Sequence, residues 1–115
     1  MRRGEIRFAE LGSLRGSEAS KRQPVVIVSN DRANARAGTL GHGVVTVVPV
    51  TSNVAHIPPF QTLLDASATG LPRSSKAQAE QVRSIEVKRL GPRVGQLPPA
   101  LLAELDAALR LHLGL

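Results

Sequence analysis

Cysteine and aromatic residues are almost missing from this chain of 115 residues, which has no Cys, Trp or Tyr and two Phe. Without cysteine there is no disulfide framework, thiolate metal site or cysteine nucleophile. With only Phe8 and Phe60, a base-stacking surface like those of OB-fold and RRM proteins is all but excluded. The length suits one domain, residues 1–115, with a single modest core.

Long apolar runs are also lacking. The longest, residues 44–50, is interrupted by Thr46 and Pro49 and is far too short to span a membrane. The basic start of the chain is not followed by the apolar segment of a signal peptide. We therefore expect a cytoplasmic protein without a membrane segment.

Positive charge is in excess. The chain carries 15 Lys and Arg against 9 Asp and Glu, which gives a net charge of +6 and a pI near 11.3. Fourteen of the basic residues precede residue 94, so we expect the basic surface and the C-terminal segment on different faces. A small basic domain commonly binds phosphate groups or an acidic partner protein.

The apolar residues form short segments separated by turn residues, and this pattern predicts a mainly β protein with α structure. The β-branched runs at 25–28 and 44–50 are typical of strands buried on both faces, and residues 89–96 suit only an edge strand. Residues 66–76 are small and polar and predict an exposed loop. Residues 98–113 predict an amphipathic helix, with apolar positions at Leu102, Leu105, Leu109 and Leu113. We expect a small antiparallel β-barrel capped by this C-terminal helix.

No cofactor or metal site is indicated. The glycine-rich segments lack the spacing of nucleotide-binding loops, and His42, His56 and His112 lack the spacing of zinc ligands. Two other segments attract attention. A polar, basic loop at 16–24 leads into the first buried strand, and the second buried strand ends in Thr51-Ser52-Asn53. On composition alone, solvated charge and a turn explain them equally well.

Several short motifs follow one another along the chain: GSE at 16–18, SND at 29–31, VxPVTS at 47–52, PF at 59–60 and AEQVRSI at 79–85, and the predicted C-terminal helix comes after them. This order resembles that of the MazF/PemK family of toxin endoribonucleases. The resemblance implies an SH3-like barrel, a homodimer, and cofactor-free, metal-independent cleavage of single-stranded RNA at a short motif. It also implies inhibition by an acidic, MazE-like antitoxin.

In the family pattern, an Arg before the strand-initial Pro and a Thr ending a later strand act on the scissile phosphate, and the ribose 2′-OH is the nucleophile. Thr51 matches this pattern, but Gln23 precedes Pro24 and Arg22 stands one position earlier. A shift of one residue in a strand reverses the face on which a side chain lies. Either a bulge returns Arg22 to the site, or Gln23 fills the position. We take Arg22 and Thr51 as the candidate catalytic residues.

The resemblance also suggests residues that contact RNA, because polar side chains can pair with the edges of unstacked bases. They are Ser17, Glu18, Lys21, Gln23, Asn30, Ser52, Asn53, Glu80 and Gln81. For Glu80, an ion pair with Lys76 or Arg83 is an alternative, and Asn30 suits a helix cap. Two other functions stay open: a CcdB-like DNA gyrase poison, and a weakened homologue that only binds RNA or antitoxin.

Overall fold

Seven strands and three helices make up the part of the chain that the structure, a computed structural model, describes: residues 1–12 and 22–115. The strands are β1 (Glu5–Glu10), β2 (Arg22–Ile27), β3 (Val44–Thr51), β4 (Gln61–Leu64), β5 (Ser75–Gln78), β6 (Arg83–Glu86) and β7 (Leu90–Gln96). The helices are α1 (Asp31–Leu40), α2 (Ala66–Thr69) and α3 (Pro99–Leu113). Short 3-10 turns follow β5 at Ala79–Gln81 and β6 at Val87–Arg89.

Strand β3 is the centre of the sheet. The strand order is β4-β5-β3-β2-β1-β7, all neighbours are antiparallel, and β6 pairs with the first half of β3. On one side β3 therefore pairs with β2, and on the other it pairs first with β6 and then with β5. Pro49 lies between the β6-paired and the β5-paired segments. A residue without an N–H is tolerated at such a change of partner, because no ladder hydrogen bond is lost.

From Val45 to Val50, the valine run of β3 is buried on both faces of the sheet, as the sequence predicts, whereas Val44 is exposed. Val48 and Val50 belong to a core cluster that includes Leu105 and Leu109 of α3. Val45 and Val47 face the opposite way and join a second cluster. Alternation of side chains along a strand places successive valines in the two clusters, so β3 stabilises both.

Helix α3 is confirmed almost to the residue, and β7 is confirmed as an edge strand. The expected closure into a barrel is not confirmed: β4 and β7 are the ends of an open sheet, and no pairing between them occurs within the described residues.

The predicted exposed loop at 66–76 is wrong, because this segment contains α2 and the start of β5. Leu71, Ser75 and Lys76 are buried there. The chain turns at Gly70, which has φ of 84°, and Leu71 then packs into the core. The sequence does not predict this strand, because its residues are polar or small. Lys76 can nevertheless be buried, since its aliphatic stem is covered while its Nζ donates a hydrogen bond to the carbonyl oxygen of His56.

We expect Gly95→Ala to destabilise the protein by about 1–3 kcal/mol. A Cβ at position 95 would overlap with the carbonyl oxygen of Thr69, so α2 and β7 would have to separate. Gly91→Ala in the same strand is the matched control, because its Cβ would overlap with the flexible end of Arg22 and would reach the backbone only at an ordinary contact distance of 3.4 Å from the carbonyl oxygen of Phe8. Thermal unfolding followed by circular dichroism compares the two. Equal melting temperatures for the two variants would contradict the close approach of α2 to β7.

Candidate active site

A cavity of about 360 Å³ opens where the start of β2 lies beside the end of β3. Because these strands are antiparallel, the residues before Val25 are brought next to those after Pro49, its partner in the ladder. Gln23, two residues before Val25, and Thr51, two residues after Pro49, therefore both line the cavity. The remaining lining residues are Phe8, Pro24, Val50, Ser52, Leu71, Pro72, Arg73 and Ser75.

Gln23 fills the position in which the family pattern has arginine. Its pairing with Ala9 continues the register of Pro24 with Phe8, and Arg22 follows opposite Glu10 without interruption. No bulge therefore returns Arg22 toward Thr51. The Gln23 side chain is half-buried, and its Nε2 donates a long hydrogen bond of 3.5 Å to the carbonyl oxygen of Val50.

The structure does not bring Arg22 and Thr51 together. The guanidinium of Arg22 lies against Gly91 on β7, so the side chain crosses β1 away from β3. Arg22 does not line the cavity that contains Thr51. Its charge is exposed at the β7 side of the sheet instead.

The hydroxyl of Thr51 is oriented by the turn that follows β3. Its Oγ1 accepts a hydrogen bond of 3.2 Å from the backbone N–H of Asn53, and Asn53 Oδ1 accepts one of 3.3 Å from the N–H of Ala55. The Thr51 proton is thereby left to donate to a ligand in the cavity. Ser52 lines the same cavity. The side-chain oxygen of Asn53 instead accepts a hydrogen bond within the turn, which is the alternative that the composition of this segment suggests.

A second cavity, of about 260 Å³, lies on the other side of Gln23. It is polar, and Gln23 is shared by both cavities. Its other lining residues are Leu11, Gly12, Pro49, Gln78, Gln81 and Arg83. Gln81 is thus placed near Gln23. Arg83 and Gln78 are additions to the expected set: Arg83 stands in the motif at 79–85, but the sequence suggests for it only an ion pair with Glu80, and Gln78 stands in no motif.

Two of the expected RNA-contact residues have structural partners in the fold. Asn30 is the N-cap of α1, and its Oδ1 accepts a hydrogen bond of 2.8 Å from the N–H of Ala33. Glu80 accepts a hydrogen bond of 2.7 Å from Gln61 Nε2, and its other carboxylate oxygen is buried. The Glu80 carboxylate is therefore turned into the protein and away from a base edge. Ser17, Glu18 and Lys21 lie outside the described residues.

The electrostatic character of the two cavities is cationic. Arg73 lines the first and Arg83 the second, and no described Asp or Glu lines either of them. Hydroxyl, amide and guanidinium groups together are suited to bind phosphate oxygens. Within residues 1–12 and 22–115, no three His, Asp or Glu side chains converge in a way that could hold a metal ion. In the same residues, no helix is long and apolar enough to cross a membrane.

Fold and site together define a small antiparallel β-sheet protein with a cationic, polar cavity at the ends of two central strands. Residues 2–113 match the family of PemK-like, MazF-like toxins of type II toxin–antitoxin systems. The chain belongs to this family.

Two curated relatives and one solved structure illustrate the family relationship. The chain is 59% identical to endoribonuclease MazF9 of Mycobacterium tuberculosis over 115 residues, which cover 100% of this chain and 98% of that protein. It is 30% identical to endoribonuclease EndoA of Bacillus subtilis, covering 100% of this chain and 96% of that protein. The fold is also that of an endoribonuclease from a mycobacterial species, solved with its cognate antitoxin. The TM-score to that structure is 0.80 at 23% identity, covering 100% of this chain and 96% of that one.

We expect Asn30→Ala to lower the free energy of unfolding by about 1 kcal/mol, because the first turn of α1 loses its cap. Asn30→Ser is the matched control, since serine caps a helix about as well as asparagine. Chemical denaturation measures the difference, and RNA affinity is measured in parallel. If both variants lost RNA affinity equally and kept wild-type stability, Asn30 would be an RNA contact and not a structural cap.

Proposed function

We propose that this protein is a toxin endoribonuclease that cleaves single-stranded RNA, including mRNA, at a short sequence motif. The observation that carries the proposal is the convergence of Gln23 and Thr51 in a cationic cavity at the strand ends. The family supports it, because the relatives MazF9 and EndoA, at 59% and 30% identity over the whole chain, are both described as endoribonucleases.

The cavity supplies what RNA cleavage by an internal nucleophile requires. The ribose 2′-oxygen attacks the adjacent phosphorus and loses its proton, while the bond to the 5′-oxygen breaks and that oxygen gains a proton. The products are a 2′,3′-cyclic phosphate and a 5′-hydroxyl. The protein has to hold the phosphate in line and stabilise the charge on its oxygens in the transition state.

In this proposal, Thr51 and Gln23 bind the scissile phosphate. The Thr51 hydroxyl donates to one non-bridging oxygen, and Gln23 Nε2 exchanges its long bond to Val50 for a second. Ser52 contacts the same phosphate or its neighbour, and Gln81 contacts a base in the second cavity. Arg22 binds the RNA backbone beyond the site, on the β7 side, and Lys21, Ser17 and Glu18 belong to the adjoining segment.

A weakened homologue is the second candidate, and Gln23 is the observation that favours it. A neutral amide forms weaker hydrogen bonds to a phosphate than a guanidinium does, so cleavage is expected to be slow. The gyrase-poison reading is disfavoured, because the match to MazF-like toxins extends over residues 2–113.

We further propose a homodimer that is neutralised by an acidic antitoxin and acts in the cytoplasm. The mycobacterial protein of similar fold is an endoribonuclease that was solved in complex with its cognate antitoxin. In this chain, Leu111 and Leu113 of α3 and Leu63 of β4 are exposed, at 59%, 52% and 48%. They are apolar surface that a second subunit or an antitoxin would cover, and the cationic cavities would attract an acidic segment.

We expect Thr51→Val to reduce RNA cleavage about a hundredfold, because valine keeps the shape of the side chain but cannot donate to the phosphate. Thr51→Ser retains the hydroxyl and should retain most of the activity. The assay is a gel of a long single-stranded RNA, with EDTA present throughout. Activity should persist in EDTA, because the 2′-OH needs no metal-activated water. Equal activity of the valine and serine variants, or activity that required added Mg²⁺, would contradict this mechanism.

We expect Gln23→Arg to accelerate cleavage about tenfold or more, since it places a charged, two-pronged donor beside Thr51. Thr39→Arg adds the same charge on α1, which lies against the start of β3, the end opposite to Thr51, and it controls for general attraction of RNA. Initial rates at saturating protein give the comparison. A rate for Gln23→Arg that only equals that of Thr39→Arg would show that position 23 does not contact the scissile phosphate.

A further inference from the structure

The catalytic cavity contains a cation that no motif assigns. Cleavage raises the negative charge on the phosphate oxygens, and a neutral Gln23 cannot compensate it. Among the described residues that line this cavity, Arg73 is the one basic side chain. Resting on the proposed ribonuclease function, we propose that Arg73 binds the scissile phosphate and supplies the positive charge that Gln23 lacks.

The backbone at Arg73 is fixed by its neighbours. Leu71 is 5% exposed and packs into the main core, and Pro72 restricts the chain directly before the arginine. Ser75, which is buried, donates a hydrogen bond of 3.0 Å from its Oγ to the carbonyl oxygen of Arg73. A side chain on such an anchored segment is held near the site before RNA binds, so less ordering is needed on binding.

The guanidinium of Arg73 is available to a ligand. Within the described residues, the ion pairs join Arg3 to Asp106 and both Arg7 and Arg93 to Glu5, and none involves Arg73. No side-chain hydrogen bond of Arg73 occurs there either. The side chain is exposed, so a phosphate can approach it from solvent.

The other nearby cations are placed differently. Lys76 is buried, and its Nζ is bonded to the carbonyl oxygen of His56. Arg22 lies against Gly91, and Arg83 lines the second cavity, beyond Gln23. Arg73 alone of these four shares a cavity with Thr51, so its charge acts on the phosphate that Thr51 contacts.

The test compares Arg73→Ala with Arg36→Ala, which removes the same charge from exposed α1. Single-turnover cleavage at saturating protein should fall about a hundredfold for Arg73→Ala and less than twofold for Arg36→Ala. Arg73→Lys should retain an intermediate rate, because it keeps the charge but not the planar fork. Adding Gln23→Arg to Arg73→Ala should restore most of the rate. Equal rates for Arg73→Ala and Arg36→Ala would overturn the proposal.

Binding separates this proposal from the ribonuclease function. A fully 2′-O-methylated single-stranded RNA has no free nucleophile, so its affinity can be measured whether or not the protein cleaves. The plot of log affinity against log salt concentration should become less steep by about 0.7 for Arg73→Ala, the loss of one phosphate contact, and stay unchanged for Arg36→Ala. An unchanged slope for Arg73→Ala would overturn the contact. A wild-type protein that cleaves no RNA, but whose slope depends on Arg73, would overturn the ribonuclease function and retain the contact.

Discussion

The antiparallel register between β2 and β3 is the constraint on which the site depends. Val25 opposite Pro49, Val26 opposite Val48 and Ile27 opposite Val47 fix the two strands against each other. With that register, the start of one strand and the end of the other share one edge of the core, and Gln23 and Thr51 meet there. The energy that holds the register comes from valines and isoleucine buried on both faces, not from the polar residues at the site. The site is therefore positioned by core packing, in part through residues such as Val26 and Val48 that do not line the cavity.

Strand β3 also determines which polar and charged residues lie at the site. Strand β3 exchanges β6 for β5 near Pro49, and its last residues are paired with Lys76 and Ala77 of β5. Strand β5 continues directly from the segment that carries Arg73, so the partner change brings a basic residue to the end of β3. Gly95 and Gly70 allow α2 to pack closely on β7, and this contact fixes where the Arg73 segment begins. Backbone contacts far from the cavity thus determine which charges reach it.

The sequence predicts those helices and strands whose apolar residues follow a simple repeating pattern. The leucine spacing of α3 and the β-branched runs of β2 and β3 are strong patterns, and Pro92 and Gly95 restrict β7 to an edge. Thr51 follows from its motif, and the register alone places it beside position 23. The segment from α2 to β5 could not be predicted, because Ser75 and Lys76 are polar and their burial depends on partners distant in sequence, such as His56. The approach of Arg73 to Thr51 and the open edge of the sheet also depend on pairing between distant segments, so neither has a local signal.

The choice between Arg22 and Gln23 shows most clearly what a sequence leaves undetermined. The two residues are adjacent, and which of them faces Thr51 depends on whether β2 contains a bulge, which is a property of its pairing with β1. An unbroken ladder sends Arg22 to Gly91 and leaves an amide, that of Gln23, in the cavity with Thr51. The positive charge is then distributed: Arg73 on one side of Gln23, Arg83 on the other, and Arg22 across the sheet. Distributed cations raise affinity for any RNA strand, whereas rate depends on charge at the reacting phosphate. In the proposed mechanism, Arg73 therefore contributes to both affinity and rate, whereas Arg22 and Arg83 contribute to affinity alone.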